Sequence, residues 1–218
     1  MKKPILFLFA IALSGLSLQA QLKTVHKDNP AFIGAAQAAP AALQKIYSNL
    51  GPSTSAYDND GWELEGPGAY GGSSYYDVIG MAFTPAANAT VRQLRAAIQY
   101  DASGANQINF SLYSDSGGIP GTLLAGPVTV TNLPTFGTCC TLAIADISPG
   151  VAVTAGVQYW VVVGPPSSGT GSDFVGSWNF IPPPKANYIE GSNVDGDGWF
   201  SEGVFTSEPA GAVYGTTP

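Results

Sequence analysis

A nine-residue pattern that combines acidic, glycine and tryptophan residues occurs twice in this sequence. Residues 58–66 match residues 195–203 at six of nine positions, and the shared form is DxDGWxxEG. Glycine after paired aspartates is typical of a tight turn, and carboxylates grouped on a turn are hard oxygen ligands that suit Ca²⁺. The pattern predicts either a calcium site or two Asx-turns that each launch a strand with a buried tryptophan, and the sequence leaves both open. The candidate metal ligands are Asp58, Asp60, Glu65, Asp195, Asp197 and Glu202.

The two copies stand near opposite ends of the predicted domain. The second copy is a poor EF-hand, because position 12 of such a loop falls on Val204 instead of a bidentate glutamate. Domain termini tend to be neighbours, so we expect the two motifs to lie close together, with their strands paired or at one sheet edge. A bound cation would then neutralise four crowded aspartates.

Aromatic residues among glycine, asparagine and serine form a second candidate site. Flat rings stack on sugar rings while neighbouring polar groups bind the sugar hydroxyls. The alternative is ordinary packing, because aromatic residues are common in strands. The ligand-binding candidates are Trp62, Tyr70, Trp178 and Trp199, within a wider set that includes Tyr75, Tyr76 and Tyr188.

The only two cysteines, Cys139 and Cys140, are adjacent. Adjacent Cα atoms lie about 3.8 Å apart, below the usual disulfide range of roughly 4.4–6.8 Å, so a bond between them is strained. We favour such a vicinal disulfide, which would rigidify its loop. Intermolecular bonding and two free thiols are the alternatives.

Nucleophilic catalysis has no support in the sequence. His26 is the single histidine, and no GxSxG motif occurs. Glycosidase chemistry needs only two carboxylates about 5–9.5 Å apart. Glu65 and Glu202 would meet that condition if the two ends of the domain adjoin.

The composition favours an exported protein of short strands. Hydrophobic residues make up 45% and charged residues 11%, with 27 glycines and 17 prolines. The net charge of −7 argues against binding nucleic acid. Residues 1–20 have a basic start, a short apolar stretch and a small residue before Gln21, which is typical of a bacterial secretory signal peptide. We expect no membrane span after its cleavage, and a secreted or periplasmic location.

Residues 21–44 are rich in alanine and predict a linker, and residues 45–218 predict one domain. Apolar residues alternate over residues 81–83, 94–100, 108–112, 128–130 and 151–153, and residues 159–163 are continuously apolar, as in a central strand. Turn residues separate these runs, at 114–118, 149–150, 165–169 and 182–184. The pattern predicts an all-β antiparallel sandwich or jelly roll of about nine or ten short strands.

Four segments of the sequence resemble a family of exported bacterial β-sandwich domains, the choice-of-anchor domains, with type R as the nearest pattern. These segments are LYSDSGGIPG at residues 112–121, GVQYWVVV at 156–163, IYSNLGP at 46–52 and AVYG at 212–215. The resemblance implies export and a β-sandwich. It implies little about function.

The sequence as a whole predicts an exported, non-catalytic module for extracellular binding or surface association, with a polysaccharide or cell-surface glycan as its candidate partner. It requires no cofactor, and Ca²⁺ is the candidate ion. The alternatives are a carboxylate-dependent glycoside hydrolase or lyase, and a structural matrix protein without a ligand.

Overall fold

The computed structural model describes residues 24–25, 43–51, 56–72, 75–138, 141–181, 188–193, 198–205 and 207–217. These ranges contain fourteen strands, one short 3-10 turn at Ala69–Gly71 and no α-helix. None of their elements is a helix long and apolar enough to cross a membrane. The strands are β1 (Thr24–Val25), β2 (Gln44–Ser48), β3 (Gly61–Glu65), β4 (Val78–Phe83), β5 (Ala89–Ala96), β6 (Ile98–Ser103), β7 (Gln107–Asp115), β8 (Pro120–Thr131), β9 (Ala143–Val153), β10 (Tyr159–Gly164), β11 (Val175–Asn179), β12 (Tyr188–Asn193), β13 (Phe200–Phe205) and β14 (Gly211–Thr216).

The strands form three antiparallel sheets, which confirms the predicted all-β sandwich class. The largest sheet has six strands in the order β13-β12-β4-β10-β7-β8. Two four-stranded sheets have the orders β1-β3-β11-β6 and β2-β14-β5-β9. Ala97 joins them, because β5 runs through it into β6 and its amide donates to the Ala210 carbonyl at 3.0 Å. We call these two sheets together the second layer.

The main hydrophobic core lies between the six-stranded sheet and the second layer. Period-two alternation places every second residue of a strand on the same face, so β4, β7 and β10 each give the core one apolar row. Burying such a side chain contributes about 1.5–3 kcal/mol. The inward row of the six-stranded sheet is Ile79, Met81, Phe83, Ile108, Phe110, Leu112, Tyr159, Val161 and Val163. The predicted alternation in β4 and β7 is therefore confirmed, and so is the interior position of β10.

The described residues contain fourteen strands where the sequence predicted about nine or ten, and three details of the layout also differ. The alternating run at 94–100 is two strands rather than one, because the chain changes sheet at Ala97. The predicted turn at Pro149 and Gly150 lies inside β9, where the pairing register with β5 shifts. Thr24 and Val25, which we expected in the linker, pair with Trp62 and Gly61 as strand β1.

The four segments that resemble the choice-of-anchor domains lie in two hydrogen-bonded strand pairs. Residues 46–52 begin in β2 and residues 212–215 lie in β14, and these strands are neighbours with Val213 opposite Tyr47. Residues 112–121 span the β7–β8 turn, and β7 pairs with β10 so that Tyr113 lies opposite Trp160.

Candidate functional site

The first acidic motif forms the turn that leads into β3. The Asn59 amide donates to Asp58 Oδ1 at 2.6 Å, and Asn179 Nδ2 donates to the Asp58 carbonyl at 2.8 Å. The Phe180 amide donates to the Asp60 carbonyl at 2.8 Å, which fixes the turn against the end of β11. This is the arrangement of a strand-launching turn.

Two of the four ligand-binding candidates are core residues, which corrects their interpretation as loop aromatics. Trp62 and Trp178 lie opposite each other on β3 and β11 and are 5% and 0% exposed. Trp178 Nε1 donates to the Ala210 carbonyl at 2.9 Å, and the Trp62 ring packs edge-on against Phe180 at 5.2 Å. Neither indole has a face open to a ligand.

The predicted strand pairing of the two acidic motifs is wrong, whereas the predicted proximity of their aspartates concerns residues outside the described ranges and stays a prediction. The first motif leads into β3 in the second layer, whereas the second leads into β13 at one edge of the six-stranded sheet. Asp195 and Asp197 lie outside the described residues, and so does the side chain of Glu202. Across the described ranges, no group of three or more histidine, cysteine, aspartate and glutamate side chains could hold a metal ion. The calcium site stays a prediction.

The Glu65 carboxylate, proposed as one half of a glycosidase pair, is only 4% exposed. A general acid must reach the glycosidic oxygen of its substrate. Burial on β3 therefore removes Glu65 from contact with a polysaccharide in solution.

The cysteine pair lies outside the described residues, but the chain on either side is anchored. Gln99 Nε2 donates to the Thr138 carbonyl at 2.6 Å, and the Tyr57 hydroxyl donates to the Thr141 carbonyl at 3.3 Å. Burial raises the pKa of Tyr57 to about 12, so this hydroxyl keeps its proton.

A cavity of about 260 Å³ opens on the outer face of the six-stranded sheet. Small-molecule sites have volumes of roughly 300–1,000 Å³, so this one suits a single-ring ligand or one unit of a longer chain. Its wall combines aromatic, aliphatic and uncharged polar side chains. It is lined by Tyr76, Val78, Asn109, Ser111, Tyr113, Pro127, Val162, Gly164, Pro165, Ser167 and Trp199.

The outward row of β7 supplies the centre of the cavity. Asn109, Ser111 and Tyr113 alternate with the core residues of the same strand, so the pleat directs them to the opposite face. Val162 on β10 lies directly opposite Ser111. The floor of the cavity is therefore formed by β7 and β10, two adjacent strands whose inward side chains are buried in the core.

Three aromatic rings border the cavity. The rings of Tyr113 and Trp199 meet edge-to-face, with centroids 6.2 Å apart and planes at 68°. The Tyr76 hydroxyl donates to the Pro165 carbonyl at 3.2 Å, which fixes the third ring. Burial raises the pKa of both tyrosines above their usual value, so the cavity wall is uncharged at neutral pH.

Two polar groups in the cavity have capacity for a ligand. The hydroxyl of Ser111 makes no hydrogen bond to any part of the chain that the structure describes. Asn109 Oδ1 accepts a hydrogen bond from Thr129 Oγ1 at 2.8 Å. The side-chain nitrogen of Asn109 makes no hydrogen bond within the described residues. A hydroxyl and an amide beside aromatic rings can bind the hydroxyls of a sugar while the rings cover its C–H face.

Asp115 supports this face from the β7–β8 turn. It accepts hydrogen bonds from Trp160 Nε1 at 2.8 Å, from Gln158 Nε2 at 2.7 Å and from the Gly118 amide at 3.2 Å. Burial alone would raise the pKa of this carboxyl, but the bonds from Trp160, Gln158 and the turn amides outweigh it and lower the pKa. Trp160 is completely buried and packs with Tyr113 and Trp199, so Asp115 positions the residues beneath the aromatic wall.

Of the four ligand-binding candidates, only Trp199 lines the cavity. Tyr70 is 67% exposed in the 3-10 turn and lies outside it. Sequence reasoning missed Asn109, Ser111 and Tyr113, although the predicted inward row of β7 already implied an outward row between its members.

A comparison with protein-family models found no match, and searches of curated proteins and of solved structures likewise found none.

Proposed function

We propose that this chain is an exported, non-catalytic binding module that takes one sugar unit of an extracellular polysaccharide or cell-surface glycan into the cavity on its six-stranded sheet. The observation that carries the proposal is the pairing of three aromatic rings with the unbonded Ser111 hydroxyl around a cavity the size of one ring. The signal-peptide pattern and the resemblance to choice-of-anchor domains support the exported location.

The experiment is a glycan-array screen followed by calorimetric titration of the best ligand. Trp199→Ala and Tyr113→Ala should each weaken binding about tenfold, because an aromatic contact is worth about 0.5–1.5 kcal/mol beyond the area it buries. Tyr75→Ala is the matched control: Tyr75 is 54% exposed, does not line the cavity and should bind as the wild type does.

Unchanged affinity in both cavity variants would overturn this placement of the site. Absence of any glycan ligand would favour the structural matrix protein instead. Turnover of a polysaccharide that is abolished by Glu65→Gln would favour the hydrolase. The burial of Glu65 argues against that outcome.

A further inference from the structure

We infer that the cavity selects its sugar by charge, accepting an uncharged pyranose and rejecting the same ring when it carries a carboxylate. This inference rests on the proposed function and names the substrate class of that site.

The first observation is the chemistry of the cavity wall. None of its eleven lining residues, all within the described ranges, carries a charge at neutral pH. A carboxylate that enters such a cavity loses water and gains only neutral donors, and burial of an unpaired charge is strongly unfavourable.

The second observation concerns the whole sheet that carries the cavity. None of its six strands contains a lysine or an arginine, while Asp115, Glu190 and Glu202 belong to it. The cations in the described part of the chain are Lys45 on β2 and Arg92 and Arg95 on β5, all in the second layer.

The second layer therefore holds all the described cations together with carboxylates such as Glu63 and Asp146, while the six-stranded sheet has carboxylates and no cation on its strands. Because the chain carries −7 overall, the field on the cavity side opposes the approach of an anion. A neutral hydroxymethyl group meets no such barrier and can bond to Ser111 or Asn109.

The test uses matched oligosaccharides that differ only at C6, where one member has CH₂OH and the other COO⁻. Suitable pairs are α-1,4-linked galactose oligomers with α-1,4-polygalacturonate fragments and β-1,4-mannan with β-1,4-polymannuronate fragments, titrated calorimetrically against the full chain at pH 7. In the pair that binds, we expect the uronate to bind at least about tenfold more weakly, because nothing pairs with its desolvated charge.

A charge-reversal variant separates selectivity from overall weakening. Ser111→Lys places a cation in the cavity and should raise uronate affinity relative to the neutral sugar. Val157→Lys adds the same charge at a residue that is 44% exposed and outside the cavity, and it should leave the ratio unchanged.

Uronates that bind as tightly as their neutral partners would overturn the charge selection and leave the glycan-binding proposal standing. A Val157→Lys shift equal to that of Ser111→Lys would overturn it as well, because the effect would then come from net charge alone. Failure of both members of every pair to bind, together with the absence of any ligand on the glycan array, would reject the glycan-binding function itself, and this inference with it.

Discussion

Replacing Asp115 with alanine tests how the β7–β8 turn supports the face that carries the cavity. In the wild type the carboxylate accepts bonds from two side chains and from a turn amide. The variant leaves the indole nitrogen of Trp160 without its charged acceptor, and Trp160 is 0% exposed, so only water that enters the space left by the partly exposed Asp115 side chain can reach this nitrogen.

The cost follows from those contacts. A buried donor left without a partner costs about 1–3 kcal/mol, and a bond to a charged acceptor contributes about 1.5–3 kcal/mol. Gln158 and Gly118 are only partly buried, so water compensates most of their loss. We expect Asp115→Ala to lower the free energy of unfolding by roughly 2–4 kcal/mol. For a chain of this size that corresponds to a fall in Tm of roughly 5–15 °C.

Urea unfolding at pH 7, followed by tryptophan fluorescence, measures the difference. Asp101→Ala is the control, because Asp101 is exposed on β6 and its side chain makes no hydrogen bond within the described ranges. It should change the free energy of unfolding by less than about 0.5 kcal/mol. A loss below about 1 kcal/mol in Asp115→Ala would refute the claim that this carboxylate holds Trp160.

Three further predictions follow from the same structure. The lowered pKa of Asp115 means that its carboxylate stabilises the fold above about pH 4 and loses that effect as pH falls through the folded pKa, so the stability curves of wild type and Asp115→Asn should converge in acid. Trp178→Ala should cost about 3–5 kcal/mol in urea unfolding as a core truncation, whereas Trp199→Ala should cost about 1 kcal/mol or less while weakening sugar binding. Gly61→Ala should cost about 1–3 kcal/mol by the same measurement, because its Cβ would lie 2.5 Å from the Trp178 carbonyl and force β3 from β11.

The strands with one fully apolar face were predictable from the sequence. In β4, β7 and β10 the core selects every second residue, so period two is visible without knowledge of the partners. Strand β3 carries the same alternation, with Trp62 and Leu64 in the core, but Glu63 and Glu65 on its other face are also buried. Buried carboxylates do not follow from local composition, which is why the motif suggested surface chemistry.

The glycine of the repeated motif shows how one pattern arises from two causes. Gly198 has a φ of +97°, a conformation that favours glycine, and open space around it. Gly61 is confined by the Trp178 carbonyl instead. Glycine therefore occupies the same position in both copies of the motif for different physical reasons. The similar sequences of the two copies did not predict similar surroundings.

The cavity could not be assembled from the sequence because its wall comes from five separate parts of the chain. Tyr76, Tyr113 and Trp199 meet only after β4, β7 and the residues before β13 take their places around one sheet. The strand order β13-β12-β4-β10-β7-β8 brings these three residues together. The period-two alternation of apolar residues within one strand does not encode the order of strands in a sheet.

The interleaving of distant strands in the second layer has a kinetic consequence. Strand β14 lies between β2 and β5, and the Gly211 amide donates to Asn49 Oδ1 at 2.7 Å across 162 residues of chain. During synthesis β5 therefore lacks its neighbour β14 until residues 211–216 have been made. The backbone edge of β5 that pairs with β14 stays without its partner while the intervening residues are made, and folding that depends on such long loop closures is slow, on the order of milliseconds to seconds.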